Sequence, residues 1–254
     1  MSLFDLTGKC AFVTGASRGI GQVIAIALAE AGADVALVAR GEDGLADTAE
    51  SITAIGRKAF VIPADVTSAE AVAAAAASAI DQLGQVDVVV NNAGGSRFMV
   101  GFRDLRPGGW EKMIRLNLDS AAYVCHAFAG HLLDRGQGSV INVASVSGLV
   151  GSPGLAPYGA AKAGLISLTK SLAVEWGAGG VRVNALCPGW TATDLNRGLW
   201  EDPAAGPATI ATVPMQRWGR PEEMAGPAVF LASDASSFMT GQTLIVDGGQ
   251  SIGP

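Results

Sequence analysis

Short apolar runs alternate with amphipathic stretches along the chain. Runs rich in Val, Ile and Ala fall near residues 10–14, 34–38, 59–62, 87–90, 139–143, 181–186 and 243–246, and helical patterns lie between them. Val86-Asp87-Val88-Val89-Val90 and Val181-Arg182-Val183-Asn184-Ala185 read as continuous runs, the pattern of strands buried on both faces. Strands separated by helices imply crossover connections, so the expected fold class is α/β, a doubly wound, seven-stranded parallel sheet with helices on both faces. The Ala-rich tract from Ala69 to Ile80 is read as an ordinary helix, because Ala is the best helix former. The rhythm breaks once. No convincing strand lies between Pro188 and Pro221, and Pro203, Pro207 and Pro214 interrupt any long helix, so 188–220 is expected to be a lid beside the carboxyl edge of the sheet.

Composition narrows the function classes. In 254 residues, 49% are hydrophobic and 16% charged, enough for a sizeable core, and no linker or charge block divides the chain, so 1–254 is read as a single domain. A net charge of −6 disfavours nucleic acid or an anionic membrane as partner. The opening Met1-Ser2-Leu3-Phe4-Asp5-Leu6 has no basic segment leading into an apolar one, and no stretch reaches the roughly 18 unbroken apolar residues of a membrane span, so a cytoplasmic location is expected. Cys10, Cys125 and Cys187 lie far apart with only His126 and His131 to assist them, so no metal site is expected and the thiols are read as buried.

The first strand, Ala11-Phe12-Val13-Thr14-Gly15, runs into Ala16-Ser17-Arg18-Gly19-Ile20-Gly21, and Gln22 to Ala31 then has helical spacing. A glycine turn from strand to helix at this point is where a single-domain Rossmann fold binds a dinucleotide: small residues let the backbone approach the pyrophosphate, and the helix N-terminus offers free N–H groups. The second strand ends Ala36-Leu37-Val38-Ala39-Arg40. An acidic residue there would bind the ribose hydroxyls of NAD(H). Ala39 carries no carboxylate, whereas Arg40, with Arg18 in the turn, can receive a 2′-phosphate, so NADP(H) is expected in preference to NAD(H).

Three motifs in order make the chain resemble the short-chain dehydrogenase/reductase family over essentially its whole length. TGxxxGxG reads Thr14-Gly15-Ala16-Ser17-Arg18-Gly19-Ile20-Gly21, NNAG reads Asn91-Asn92-Ala93-Gly94, and YxxxK reads Tyr158-Gly159-Ala160-Ala161-Lys162. Ser145 precedes Tyr158 by 13 residues, and Asn117 in Leu116-Asn117-Leu118 matches the family's helix-borne asparagine. The resemblance implies an oxidoreductase with Asn117, Ser145, Tyr158 and Lys162 as the catalytic set. It implies a cofactor site of Gly15, Ser17, Arg18, Gly19, Ile20, Gly21, Arg40, Asp65 and Val66 (toward the adenine), Asn92, Ala93, Gly94, Tyr158, Lys162, Pro188, Gly189, Thr191 and Thr193. Asn91 falls to the ribose side and the sheet beneath it.

The chemistry suits these residue types. Reducing a ketone needs a hydride from the dihydronicotinamide and a proton for the oxygen as charge builds on it. Tyr158 is the natural proton donor, and Lys162, one helical turn on, shares its face and, together with the positive charge of the oxidised nicotinamide, is expected to lower its pKa. Ser145 would hydrogen-bond the substrate oxygen, and Asn117 would support a water chain from Lys162. His126 and His131 have no nucleophile or carboxylate placed near them and are expected not to be catalytic.

The resemblance implies a carbonyl/alcohol pair on a small molecule as the substrate. Trp190, Leu195, Leu199 and Trp200 in the lid, with Phe98-Met99-Val100 and Leu149-Val150, would give an apolar pocket suited to a bulky ketone. Arg97 and Arg103 could meet a substrate carboxylate but fit solvated positions better. The chain ends resemble both 3-oxoacyl-thioester reductases and sugar or sugar-acid dehydrogenases, and a broad-specificity ketone reductase stands beside them. A dinucleotide sensor without catalysis is disfavoured by the intact Ser145, Tyr158 and Lys162. The family resemblance also implies a homotetramer through 117–135 and 157–177, where Gly159, Ala160, Ala161, Ala163 and Gly164 permit close helix packing.

Overall fold

The apolar runs form seven parallel strands: β1 (Cys10–Thr14), β2 (Asp34–Ala39), β3 (Ala59–Pro63), β4 (Val88–Asn91), β5 (Gly138–Val143), β6 (Val181–Pro188) and β7 (Thr243–Val246), in the spatial order β3-β2-β1-β4-β5-β6-β7. The structure is a computed structural model and describes residues 2–96 and 98–253. Between the strands run α1 (Gly19–Glu30), α2 (Asp43–Ala54), α3 (Ala69–Leu83), α4 (Pro107–Ile114), α5 (Ser120–Arg135), α6 (Ala156–Trp176), α7 (Arg197–Trp200), α8 (Ala205–Ile210) and α9 (Ala225–Ala232). The chain is thus a single Rossmann-type, doubly wound α/β domain.

The continuous apolar runs are explained by which way successive side chains point. In β1, Ala11 and Val13 pack with Ile24 and Leu28 of α1, Leu45 and Ile52 of α2, and Leu231 of α9. Phe12 turns to the other face, among Val72 and Ala76 of α3, Val124, Phe128 and Leu132 of α5, and Trp176 of α6. Alternate residues of a strand reach opposite faces, so with both faces covered the strands are predominantly apolar without alternation. The Phe12 and Phe128 rings meet edge to face at 4.8 Å, an arrangement worth about 1 kcal/mol beyond area burial.

The strand order reverses between β1 and β4, whose paired residues are Ala11 with Val88, Phe12 with Val89 and Val13 with Val90. Loops after β1 and β4 diverge from this point and leave a crevice at the carboxyl edge, where ligands of open α/β sheets bind.

Two stretches depart from a simple helical reading. Asn117, expected on an ordinary helix, sits in one wide turn with π hydrogen bonding, Arg115–Asp119, between α4 and α5. Such turns occur inside helices where an extra residue must be accommodated, often at functional sites. Pro188, where the segment 188–220 begins, is the last residue of β6; the rest forms no strand of the sheet and holds the short helices α7 and α8 and an isolated bridge between Thr191 and Gly219. No helix among the described residues is long and apolar enough to cross a membrane.

Candidate active site

The glycine turn is built by what a side chain would strike. Gly15 (φ +67°) and Gly19 (φ +58°) adopt the left-handed conformation that favours glycine. A Cβ on Gly15 would fall 2.7 Å from Asn92 Nδ2, and one on Gly21 would fall 2.2 Å from the same atom. Asn92 explains this crowding: its amide donates to the carbonyls of Thr14 (3.0 Å) and Gly15 (3.3 Å). Thr14 reciprocates, its hydroxyl accepting from the N–H groups of Asn92 and Ala93, both at 3.0 Å. The NNAG segment therefore clamps the turn from β4. From the other side, Thr48 of α2 donates to the Ala16 carbonyl at 2.9 Å, and a Cβ on Gly44 would lie 2.7 Å from the Ser17 carbonyl.

Arg18 and Arg40 are exposed at the outer end of this crevice. Asp65 lies there too. Its carboxyl is held below the ordinary carboxylate range by the N–H and hydroxyl of Thr67, with the nearby Arg40 guanidinium adding to the pull. Val66 is buried beneath. Asn91 is also buried, its amide donating to Asn142 Oδ1 at 2.9 Å and Cys125 Sγ at 3.3 Å, so it braces β4 against β5 and α5 and does not line the crevice.

The inner end gathers Ser145, Tyr158, Lys162 and Asn117. Ser145 follows β5 and caps the short turn Val146–Gly148, its hydroxyl accepting from the Ser147 N–H at 3.1 Å. Tyr158 stands in the first turn of α6, half-buried. Lys162 is one turn further on and 3% exposed. Its ammonium donates to the Val143 carbonyl at 2.8 Å and lies 5.7 Å from the centre of the Tyr158 ring. Gly94 marks the meeting point of these elements: a Cβ there would fall 2.7 Å from Asn117 Oδ1 and 3.2 Å from Lys162 Nζ.

Burial sets the charges. Removal from water disfavours a charged form. Lys162 is accordingly drawn down to about 8, and the phenol of Tyr158 is pushed above its ordinary value, although the neighbouring Ser145 side chain pulls it partly back. The lowering expected from Lys162 together with the oxidised nicotinamide is a property of the loaded site; in the chain by itself burial outweighs it. Desolvation is the largest influence on the phenol there. Cys187 of β6 lies close to Ser145 and Lys162; burial pushes its thiol up to about 11, so it is neutral there.

The side chain of Asn117 is fully occupied by backbone. Its Oδ1 accepts from the N–H of Gly95 at 2.7 Å, and its Nδ2 donates to the carbonyls of Gly95 (3.1 Å) and Met113 (3.0 Å). The wide turn aims this amide at the loop after β4.

The segment 188–220, expected to be a lid, approaches the same crevice. Its first segment, Pro188-Gly189-Trp190-Thr191-Ala192-Thr193, continues from β6, and the Thr193 methyl comes within 3.7 Å of where a Cβ on Gly19 would be. Leu195 is packed on Gly95, leaving no room for a Cβ there. Trp190 meets Trp218 edge to face at 5.5 Å, and Trp200 donates to the Thr193 carbonyl at 3.0 Å. These tryptophans brace the segment itself. Phe98 packs against Gly109 of α4, while Met99, Leu149 and Val150 are exposed.

Other sequence candidates fall elsewhere. His126 is exposed, and the His131 ring bonds the backbone of Val86. Arg103 is exposed, and Arg97 lies outside the described residues. No group of His, Cys, Asp and Glu among the described residues could hold a metal ion. A shallow groove of about 590 Å³ runs between Ser147–Pro153 and the Gly159, Ala160, Ala163 face of α6. Sequence reading missed Thr14, Gly95 and Gln250 as builders of the site. Thr14 was open to discovery as the first residue of the glycine motif, whereas nothing local marks the other two.

Comparison with known proteins agrees with this architecture. The family model described as enoyl-(acyl carrier protein) reductase matches residues 15–251. A gluconate 5-dehydrogenase of Gluconobacter oxydans is 39% identical over 97% of this chain and 96% of its own. A 3-oxoacyl-[acyl-carrier-protein] reductase of Synechocystis sp. is 40% identical over 96% of this chain and 97% of its own. The crystal structure of a gluconate 5-dehydrogenase from Burkholderia cenocepacia, in complex with NADP and tartrate, superposes with a TM-score of 0.93 at 39% identity, covering 98% of this chain and 97% of that one. With the motifs, the sheet order and these likenesses spanning nearly every residue, the chain belongs to the short-chain dehydrogenase/reductase family of oxidoreductases.

Proposed function

We propose that the protein interconverts a ketone and a secondary alcohol with NADP(H), using Tyr158 as the acid/base. The observation that carries this reading is the meeting of Tyr158, Ser145 and Lys162 beside the glycine crevice, with Lys162 buried and anchored to the Val143 carbonyl. The crevice fits a dinucleotide: its glycines leave backbone exposed where a Cβ would clash, and α1 begins there with its free N–H groups. Gly15, Ser17, Arg18, Gly19, Ile20 and Gly21 would hold the diphosphate side. Asp65 and Val66 would meet the adenine, Asn92, Ala93 and Gly94 would support the ribose side, and Pro188, Gly189, Thr191 and Thr193 would cover the nicotinamide. When bound, the dinucleotide supplies or accepts the hydride.

The chain's own residues then handle the proton. Tyr158, kept neutral by burial, donates its phenolic proton to the substrate oxygen as that oxygen becomes basic, and takes it back in the oxidative direction. Ser145 donates a hydrogen bond to the same oxygen. Lys162 places a positive charge behind the phenol and favours the phenolate that forms. Asn117 holds Gly95, and with it the loop facing Lys162, in place.

The preference for NADP(H) rests on Arg40 and Arg18 with no carboxylate at Ala39. Arg40→Asp is expected to weaken NADPH binding roughly 30-fold, the loss of a charge-assisted contact of about 2 kcal/mol, while NADH binding holds or improves. Fluorescence titration of both cofactors checks this. A variant that keeps the parent's ratio of NADPH to NADH affinity would refute the assignment of Arg40.

The exposed Met99, Leu149, Val150 and Leu195 around the inner end favour a substrate with an apolar flank. NADPH consumption measured across alicyclic ketones, 3-oxoacyl thioesters and keto sugar acids tests the function. Turnover is expected with at least one class, best with the apolar ketones. Tight NADPH binding with no oxidation anywhere would support a sensor instead. The lid is 188–220 in this reading, and the small-residue face of α6 is proposed to pair in a homotetramer, which light scattering tests.

A further inference from the structure

We propose that the turn Asp247–Ser251 is the seat of the lid and that Gln250 is a positioning residue for the nicotinamide-covering segment, an inference that rests on the function proposed above. The β6–β7 ladder ends with the Gly189 N–H donating to the Val246 carbonyl at 3.0 Å. The next N–H, that of Trp190, lies past the end of β6 at Pro188 and, by the alternation of a strand, on the side away from β7. Gln250 takes it, with its side-chain oxygen 3.1 Å away. The approach is close: a Cβ on Gly189 would fall 2.7 Å from Asp247 Cβ and 2.8 Å from Gln250 Oε1.

The turn is rigid enough to act as a seat. Gly248 (φ +64°) and Gly249 (φ +90°) supply its left-handed residues, and the Asp247 carboxylate accepts from the N–H groups of Gly249 (2.9 Å) and Ser251 (2.7 Å). The returning end of the lid lies on the same turn. Met215 donates its N–H to the Gly248 carbonyl at 3.1 Å, and a Cβ on Gly249 would fall 2.8 Å from Pro214 Cγ. Both ends of the lid thus bear on a handful of C-terminal residues.

Trp190 is the junction. Its N–H is held by Gln250, its carbonyl accepts from Gly219 at 2.8 Å, and its ring packs on Trp218. Three residues later Thr193 reaches over Gly19. The side chain of Gln250 is therefore the removable bond between a fixed turn and the segment that covers the crevice. Without it, the Trp190 N–H loses its acceptor and the path of Pro188–Thr193 is no longer set.

Gln250→Leu removes the acceptor at similar volume, and Gln250→Glu keeps one. For Gln250→Leu, the Kd for NADPH and the KM for the ketone are expected to rise about fivefold, the usual scale for one lost hydrogen bond. kcat should not fall, and thermal stability should stay close to that of the parent. Trypsin should cut faster after Arg197, an exposed residue of α7, in the absence of cofactor. Gln250→Glu should restore all of these toward parental values. The proposal is overturned if Gln250→Leu leaves both NADPH affinity and Arg197 cleavage within twofold of the parent, or if Gln250→Glu is as impaired as Gln250→Leu. Failure of the parent to bind NADPH would refute the proposed function while the cleavage comparison still tests the seat.

Discussion

Tyr158→Phe is expected to lower kcat/KM for ketone reduction roughly a thousandfold while leaving NADPH affinity and thermal stability close to those of the parent. The ring remains, so its packing in the first turn of α6 is kept; what is lost is one hydroxyl that burial holds in its neutral, proton-donating form. Positioned general acids contribute about 10²–10⁴-fold, and a thousandfold corresponds to about 4 kcal/mol of transition-state stabilisation. The proton would otherwise come from water, while Ser145, whose hydroxyl accepts from the Ser147 N–H, keeps its own proton to donate to the oxygen. Steady-state kinetics with a cofactor titration checks this. A variant retaining a tenth or more of parental kcat/KM would sink the acid/base assignment.

Lys162→Met is expected to cost at least a hundredfold in kcat/KM and to leave the protein no less stable than the parent. The combination follows from the same burial. The ammonium is 3% exposed and has a value of about 8 instead of 10.5, so the folded state carries the desolvation cost in full below pH 8. Between pH 8 and the ordinary lysine value the folded protein sheds its proton before the unfolded chain does, and the parent's stability rises through that window. Met removes the buried charge. The Val143 carbonyl loses one donor, a cost of about 1 kcal/mol that offsets only part of the gain. The advantage of the variant should therefore be largest at neutral pH and shrink as pH climbs past 8. Thermal melts across that range measure it, and a variant much less stable than the parent at neutral pH would contradict the account. In the parent, reduction should slow as pH rises through about 8, because the charge behind the phenol is then lost.

These two residues were legible in the sequence because YxxxK places them one helical turn apart, and any α-helix carries such a pair on one face. The glycine turn was legible for a similar local reason: a strand passing into a helix around Gly15, Gly19 and Gly21 has few other shapes available. Asn117 was identified as a residue but not in its setting. The wide turn Arg115–Asp119 arises where its amide engages Gly95, a partner 22 residues away. Asn92 was read as a cofactor contact, yet its side chain is spent on the backbone of Thr14 and Gly15. The lid showed only as an absence of pattern between Pro188 and Pro221, and its supports, Trp190 on Trp218 and on Gln250, join residues 28 and 60 positions apart.

By itself the sequence determined the seven strands, their parallel arrangement and the order of the motifs, since all of these follow from periodicity and from chemistry between near neighbours. The tertiary structure alone decided how charge and contact are set at the site: that burial holds the Tyr158 phenol up and the Lys162 ammonium down, that Asn117 grips the loop after β4, and that the C-terminal turn meets the segment after β6 through Gln250. Desolvation and hydrogen bonds between distant segments depend on which surfaces the fold brings together, and no local pattern of residues encodes that.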